Sequence, residues 1–216
     1  MIIQEISAAV EKGKAKQVKE LVDQAINQGI PIKTILDNGL ISAMSIVGEN
    51  FKQNKIFVPE MLVAARAMTA GLSILEPLMA KAGVETIGKV VIGTVKGDLH
   101  DIGKNLVAMM MKGTGATVYD LGIDVPDINF IQKAEEVGAD IVCLSALLTT
   151  TMPAIGDVIN EFEKAGVRKK YHIMIGGAPV SQEFADQVKA DKYAPNASDA
   201  SMKAKEFLIA KKSLIN

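Results

Sequence analysis

The sequence predicts an α/β protein in two parts: an N-terminal four-helix bundle and a flavodoxin-like, doubly wound domain with a parallel five-stranded sheet. Two observations support this fold class. Apolar residues recur at helical spacing over roughly residues 2–82, whereas after residue 88 short runs rich in β-branched residues alternate with amphipathic helical segments. Strands separated by helices in this order indicate a parallel sheet with right-handed crossovers.

The N-terminal segment has the apolar spacing of four helices. A short helix near residues 2–10 precedes the clearest core-facing stripe, which consists of Val18, Leu21, Val22, Ala25 and Ile26. Gly29 and Pro31 mark the end of the second helix and the start of the third, because proline is well tolerated in a first helical turn. Pro59 opens the fourth helix in the same way. Helices with such short connections predict a small bundle over residues 1–85.

The second part begins after a segment with the composition of a linker, residues 81–88, and gives a predicted Rossmann-like domain over residues 88–216. Five strands are predicted, at 90–95, 117–121, 141–144, 171–175 and 192–194. The predicted helices between and after them lie around 104–112, 127–137, 150–165, 181–189 and 198–212.

Composition narrows the function classes. The chain has 216 residues, 49% of them hydrophobic, and a formal net charge of −1, so it offers no electrostatic case for nucleic acid or a membrane surface. The N-terminus lacks the pattern of a signal peptide, and no apolar stretch reads as long enough to span a bilayer. The single Cys143 excludes an intrachain disulfide, and its apolar strand pattern favours a buried, inert thiol. We expect a cytoplasmic protein without nucleic-acid or membrane partners.

A histidine loop is the most informative motif. His100, one of only two histidines, lies in Gly97-Asp98-Leu99-His100-Asp101-Ile102-Gly103, between the first predicted strand and a helix. Parallel α/β sheets place their ligands at the carboxyl ends of the strands. An imidazole there can ligate a metal through one nitrogen while Asp98 accepts the proton of the other, which fixes the tautomer.

Two further loops should reach the same sheet edge. The segment from Ser145 to Thr151 carries several hydroxyls, which suit a polar ligand or cap the next helix. Gly176 and Gly177 follow the fourth strand, where small residues let a ligand approach the backbone or simply form a turn. Each motif is weak alone, and their occurrence at successive strand ends favours a shared site.

These three motifs resemble the signature of the cobalamin-binding domain of methionine synthase and related corrinoid proteins, over residues 88–216. That signature reads Asp-x-His-x-x-Gly, Ser-x-Leu and Gly-Gly, and the matching residues are Asp98, His100, Gly103, Ser145, Leu147, Gly176 and Gly177. The resemblance implies a cobalamin or related corrinoid bound base-off/His-on, with the histidine in place of the lower axial dimethylbenzimidazole.

The resemblance also assigns roles to residues. His100 would ligate cobalt and Asp98 would hydrogen-bond His100. Thr151 stands where methionine synthase extends this pair with a serine, so it keeps the hydroxyl and adds a methyl group. The nucleotide tail of the corrinoid would lie along Ser145, Thr149, Gly176 and Gly177.

Residues 1–85 resemble the helical cap of stand-alone corrinoid methyl carriers in methanol and methylamine methyltransferase systems. The matching segments are Val47-Gly48-x-x-Phe51, Phe57-Val58-Pro59-Glu60-Met61 and Ala64-Ala65-x-Ala67-Met68. In that family the cap covers the upper face of cobalt. Phe57, Leu62 and Met68 are the candidates for this contact, with core packing as the alternative reading.

The resemblance implies a methyl shuttle between two other enzymes. These are a substrate-specific methyltransferase and a corrinoid:acceptor methyltransferase with a tetrahydrofolate or thiol acceptor, together with a reductive activase. Residues 81–88 would be the hinge between cap and sheet. Three other classes remain as alternatives: a cobalamin-sensing regulator, the small subunit of an adenosylcobalamin-dependent mutase, and a receiver-like domain whose matches are coincidental.

Overall fold

The computed structural model describes residues 1–82 and 86–215, and within these it forms two compact units. The first, the helical unit, consists of Met1–Thr86 and Lys112–Gly115, and the second, the sheet unit, of Ile87–Met111 and Ala116–Asn216. Residues 83–85 of the predicted linker lie outside the described residues.

The helical unit has the four predicted helices. Their elements are α1 (Ile2–Glu11), α2 (Ala15–Asn27), α3 (Ile32–Thr34), a π-helical segment (Ile35–Ile41), α4 (Ser42–Lys52) and α5 (Val58–Ala82). Helix α3, the π-helical segment and α4 follow one another without a break, so they form one continuous helical segment. The predicted stripe of α2 is buried at Val18, Leu21, Val22 and Ala25.

The π-helical segment is a difference from the predicted regular helix. Five of its seven residues are buried, and a Cβ at Gly39 would lie 3.1 Å from Ile6 Cγ2. A π turn has more residues per turn than an α-helix, so it shifts the face that the following residues present. Hydrophobic periodicity alone does not report such a shift.

Helix α5 corrects one expectation from the sequence. By length and composition, Val58–Met79 is apolar enough to cross a membrane, although no such stretch was expected. One such helix is weak evidence for a membrane span, because the core helix of a soluble protein passes the same test. Met61, Met68 and Leu75 of α5 are buried within the unit, so part of the apolar surface of this helix packs in a protein core, whereas Val58 and Val63 are exposed.

The sheet unit has the predicted doubly wound topology. Five parallel strands stand in the order β2-β1-β3-β4-β5. Its elements are β1 (Lys89–Thr94), α6 (Ile102–Gly113), β2 (Thr117–Asp120), α7 (Asp127–Val137), β3 (Ile141–Ser145), α8 (Pro153–Lys164), a 3₁₀ turn (Arg168–Lys170), β4 (His172–Gly176), α9 (Gln182–Gln187), β5 (Lys192–Tyr193) and α10 (Ala197–Ile215).

Both faces of the sheet are covered by helices, as a parallel sheet requires. On one face Val91, Val142 and Ile173 pack with residues of α7 and α8. On the other face Val90, Cys143 and Met174 pack with residues of α6 and α10. Cys143 is buried there, and burial raises the pKa of its thiol to about 12, so it stays protonated at neutral pH.

Strand register aligns three small residues at the carboxyl edge. Thr94 of β1 is opposite Ser145 of β3, which is opposite Gly176 of β4. Registered residues of neighbouring parallel strands point to the same face of the sheet, here the face covered by α6 and α10. The strands therefore end in a row of small side chains beside the loop that carries His100.

Candidate functional site

Asp98 is the centre of a hydrogen-bonded cluster at this edge. Its side chain is fully buried, and Oδ2 accepts bonds from the Thr151 hydroxyl at 2.6 Å and from the Leu147 N–H at 2.7 Å. Burial alone would raise the pKa of Asp98. The hydrogen bonds from Thr151, Leu147 and His100 outweigh burial and hold the pKa of this carboxyl well below its usual range. Asp98 is therefore an anion at neutral pH.

His100 lies directly against this anion. Its ring Nδ1 is 2.8 Å from Asp98 Oδ1, and its backbone N–H donates to the same oxygen at 3.1 Å. An ionised carboxylate only accepts hydrogen bonds, so Nδ1 carries the proton. In the neutral ring Nε2 then carries the lone pair, and 49% of the side chain is exposed. The ring can thus offer Nε2 as a ligand nitrogen at the carboxyl edge of the sheet.

The backbone on either side of His100 is also fixed. The hydroxyl of Thr94, a fully buried residue, donates to the His100 carbonyl at 2.8 Å. The Asp98 N–H donates to the Val95 carbonyl at 3.1 Å, which closes a turn through Gly97 at φ +83°. This turn needs the left-handed region that glycine enters without strain.

Exposed apolar side chains occur in the histidine loop and in the loop after β3. Leu99 is 68% exposed and Ile102 is 80% exposed, while Leu147 and Leu148 are exposed to a smaller extent. These residues lie beside His100 in sequence or supply the N–H groups that bind Asp98. A cluster of large exposed apolar residues marks a surface that another apolar body covers.

Gly103 leaves open space in the first turn of α6. A Cβ at this position would have no atom within 4 Å. Gly103 is therefore not required by protein packing, which leaves room for a ligand above the turn. The sequence motif contains this glycine but does not by itself explain why a glycine is needed there.

Gly176, the last residue of β4, and Gly177, which follows it, are required by close approach of the protein backbone. A Cβ at Gly177, whose φ is +136°, would lie 1.8 Å from the Ala146 carbonyl oxygen. At Gly176 it would lie 3.0 Å from the Ala194 carbonyl oxygen. Their small size therefore lets β3, β4 and β5 end close together, which fits the turn reading that the sequence left open.

The structure brings some of the predicted site residues together, and others belong to the helical unit. Asp98, His100, Leu147 and Thr151 form one cluster, and Ser145 and Gly176 are neighbours in the sheet. Thr149 is exposed in the loop after β3. The three cap candidates belong to the helical unit, where Phe57 is 65% exposed, Leu62 is partly exposed and Met68 is buried.

Polar residues that belong to none of the predicted motifs also support the histidine loop. Lys104 is buried, and its Nζ donates to Asp120 Oδ1 at 2.7 Å and to Asn105 Oδ1 at 2.6 Å. Asp124 accepts a bond from the Gly97 N–H at 2.7 Å. A lysine in the first turn of a largely apolar helix was the one available signal. Asp120, in the second predicted strand, and Asp124, in the loop after it, belong to no motif in the sequence.

The donor set fits a metal that arrives inside a macrocycle. Among the described residues, no group of three or more His, Cys, Asp and Glu side chains could hold a metal ion. A single exposed histidine could supply one ligand to such a metal, because a corrin would supply the other ligands itself. The exposed apolar residues of the histidine loop and of the loop after β3 suit the face of such a ring.

Comparison with known proteins agrees with this fit. Models of the B12 binding domain match residues 88–201 and residues 2–76. Dimethylamine corrinoid protein 2 of Methanosarcina acetivorans is 46% identical over 97% of this chain and 97% of its own length.

Two solved structures extend the agreement to the fold. The methanol:cobalamin methyltransferase complex of Methanosarcina barkeri matches with a TM-score of 0.87 and 30% identity, over 96% of this chain and 79% of that one. The monomethylamine corrinoid protein of Methanosarcina barkeri matches with a TM-score of 0.54 and 32% identity, over 95% and 97%.

Fold, donor set and family models define a cobalamin-binding protein. The chain belongs to the family of corrinoid proteins that serve methyltransferase systems. The family and the corrinoid cofactor predicted from the sequence are therefore confirmed. The regulator and mutase alternatives lose support, because the match to a methyltransferase corrinoid protein covers almost the whole chain.

Proposed function

We propose that this protein carries methyl groups on a corrinoid whose cobalt is ligated by Nε2 of His100. The observation that supports the ligand most directly is the buried, ionised Asp98 at 2.8 Å from Nδ1, because it leaves the lone pair on the exposed nitrogen. A bound corrinoid supplies a cobalt centre that accepts a methyl group from a donor and releases it to a nucleophile.

The residues of the cluster then have distinct tasks. Asp98 orients the imidazole and raises its basicity as a ligand, as carboxylates do behind metal-bound histidines. Thr151 and the Leu147 N–H keep Asp98 ionised. Leu99 and Ile102 would exclude water from the side of the corrin that meets His100. We further propose that Ser145, Thr149, Gly176 and Gly177 line the path of the nucleotide tail.

The division of labour along the chain is part of the proposal. Residues 88–216 form the corrinoid-binding domain, and residues 1–85 form the cap domain. Among the cap candidates, Phe57 is the best placed to meet a cofactor, because its ring is largely exposed. Met68 is buried among the helices of its own unit, which supports its core-packing alternative.

The partners follow from the family and from the chemistry. A substrate-specific methyltransferase loads the carrier, and a second methyltransferase unloads it to tetrahydrofolate or a thiol. A reductive activase restores carrier that has been oxidised. We place this exchange in the cytoplasm. Dimethylamine is the first donor to test, because the relative at 46% identity is named for it.

The ligand assignment is tested by absorption spectroscopy. Cobalamin-free protein is incubated with hydroxocobalamin, desalted and compared with the variants His100→Ala and His172→Gln. We expect a histidine-ligated spectrum for wild type and for His172→Gln, because His172 is the only other histidine. His100→Ala should lose it and regain a similar spectrum with added imidazole. An unchanged spectrum in His100→Ala would refute the assignment.

A further inference from the structure

The loop that carries His100 is held by a second loop, the connection from β2 to α7. Asp124 in that connection makes two bonds to adjacent residues of the histidine loop. Its carboxylate Oδ1 accepts from the Gly97 N–H at 2.7 Å, and its own N–H donates to the Asp98 carbonyl at 3.0 Å. One residue thus clamps the backbone immediately before His100.

Asp124 makes these bonds from a strained backbone. Its φ is +49°, and it is one of only three non-glycine residues with positive φ among residues 1–82 and 86–215, the others being Asn54 and Lys189. Glycine would adopt this conformation at less cost. The aspartate therefore gains nothing from its backbone position. Its side chain makes one charge-assisted bond, and that bond goes to the histidine loop.

The connection from β2 to α7 is itself held by hydrogen bonds, which fix the position of Asp124. Asp120 Oδ1 accepts bonds from Lys104 Nζ at 2.7 Å and from the Gly122 N–H at 2.9 Å. The Gly122 carbonyl accepts from the Thr94 N–H, and the Thr94 hydroxyl in turn holds the His100 carbonyl. The connection therefore holds the backbone before His100 directly and the His100 carbonyl through Thr94.

The clamp acts on the ring through Asp98. Both His100 bonds, from the backbone N–H and from Nδ1, go to one oxygen of Asp98. A shift of the Asp98 backbone therefore moves the carboxylate that sets the orientation of the imidazole. A ligand nitrogen on a ring is sensitive to such shifts, because metal bonds tolerate little misalignment.

We propose that Asp124 is a positioning residue for His100, which it holds through the backbone of Gly97 and Asp98 in the geometry that ligates cobalt. The proposal rests on the proposed ligation by His100. It predicts that loss of the side-chain acceptor oxygen weakens ligation even where the backbone strain is relieved.

The test compares Asp124→Gly, Asp124→Asn and Lys189→Gly in the full chain with hydroxocobalamin. Asp124→Gly relieves the strain and removes the acceptor, and Asp124→Asn keeps an acceptor oxygen. Lys189→Gly relieves strain of the same kind at φ +58°, in the turn that precedes β5. We expect Asp124→Gly to lower cobalamin affinity about tenfold, the low end for losing an outer partner of a metal-bound histidine, and to reduce the histidine-ligated fraction. Asp124→Asn and Lys189→Gly should stay close to wild type.

A second measurement does not depend on the cofactor. Hydrogen exchange of the backbone at residues 96–101 is followed by mass spectrometry in the cobalamin-free protein, with a thermal melt to confirm folding. Asp124→Gly should exchange this segment faster, and the other two variants should not. Equal losses in Asp124→Gly and Lys189→Gly, or unchanged exchange in Asp124→Gly, would overturn the proposal. If wild type fails to ligate cobalamin through His100, the proposed function fails while the exchange result still tests the clamp.

Discussion

Asp98 shows how a buried carboxylate can hold one protonation state of a histidine. A buried charge is costly unless several donors compensate it. Here Thr151, Leu147 and His100 supply those donors, so the carboxyl stays ionised and Nδ1 of His100 keeps its proton. The tautomer of the candidate cobalt ligand is therefore decided by residues after β3.

Thr151 allows the hydroxyl and the methyl group to be tested separately. Thr151→Val keeps the shape and removes the bond to Asp98, whereas Thr151→Ser keeps the bond and removes the methyl group. We expect Thr151→Val to lose about 2 kcal/mol of unfolding free energy, because the bond is made to a buried charge, and to bind cobalamin about tenfold more weakly. Thr151→Ser should remain close to wild type in both. Denaturant unfolding and an absorbance titration measure the two quantities, and equal losses in both variants would show that packing matters and the hydroxyl does not.

At the scale of elements, the first turn of α6 separates stability from binding. Gly103 is a helical residue with open space where a Cβ would stand. Gly103→Ala should stabilise the cobalamin-free protein by up to about 1 kcal/mol, because glycine is a poor helix former. The same methyl group enters the space that we assign to the cofactor, so cobalamin affinity should fall.

Gly156→Ala is the matched control for this prediction. Gly156 is also helical, in α8, and its Cβ would be in ordinary contact with Val188 Cγ1 at 3.5 Å. The Gly156→Ala variant should gain about as much stability as Gly103→Ala and should bind cobalamin as wild type does. Thermal melts and absorbance titrations of both variants measure these effects. Unchanged affinity in Gly103→Ala would place the cofactor elsewhere.

The elements were largely predictable because their patterns are local. The strand predicted at 141–144 became Ile141–Ser145, and the helix predicted at 127–137 became Asp127–Val137. Both depend on the period of apolar residues, which the sequence displays directly. The π-helical segment was not predictable, because the period of apolar residues does not report a local change in the number of residues per turn.

The candidate site was predictable where a motif stands on a strand end. Asp98, His100 and Thr151 meet because parallel strands bring their carboxyl ends to one edge. Asp124 was not predictable, because its role depends on a positive φ and on bonds to a loop about twenty-seven residues earlier. Residue type in a loop does not report either property.

At the scale of the whole molecule, a net charge of −1 conceals two carboxyls whose environments oppose each other. Hydrogen bonds lower the pKa of Asp98. Burial, together with the nearby charge of Asp157, raises the pKa of Asp127 above the ordinary value of 3.8. Asp127 Oδ1 is buried without a hydrogen-bond partner among the described residues. Folding therefore favours the charged form of Asp98 and the neutral form of Asp127.

These opposite shifts predict opposite effects of pH on the variants Asp98→Asn and Asp127→Asn. Ionised Asp98 stabilises the fold above its unfolded pKa, so at about pH 7 Asp98→Asn should be less stable than wild type by about 3 kcal/mol. This gap should narrow as the pH falls below about 4.

Ionised Asp127 costs stability, so Asp127→Asn should be more stable than wild type at neutral pH. That advantage should vanish as the pH falls to the ordinary pKa range of carboxyl groups, where Asp127 of wild type is protonated and therefore neutral, like the amide of the variant. Denaturant unfolding of the three cobalamin-free proteins across this pH range measures both differences. Parallel pH profiles for the two variants would contradict the assignment, because only carboxyls with opposite shifts make the differences change with opposite sign.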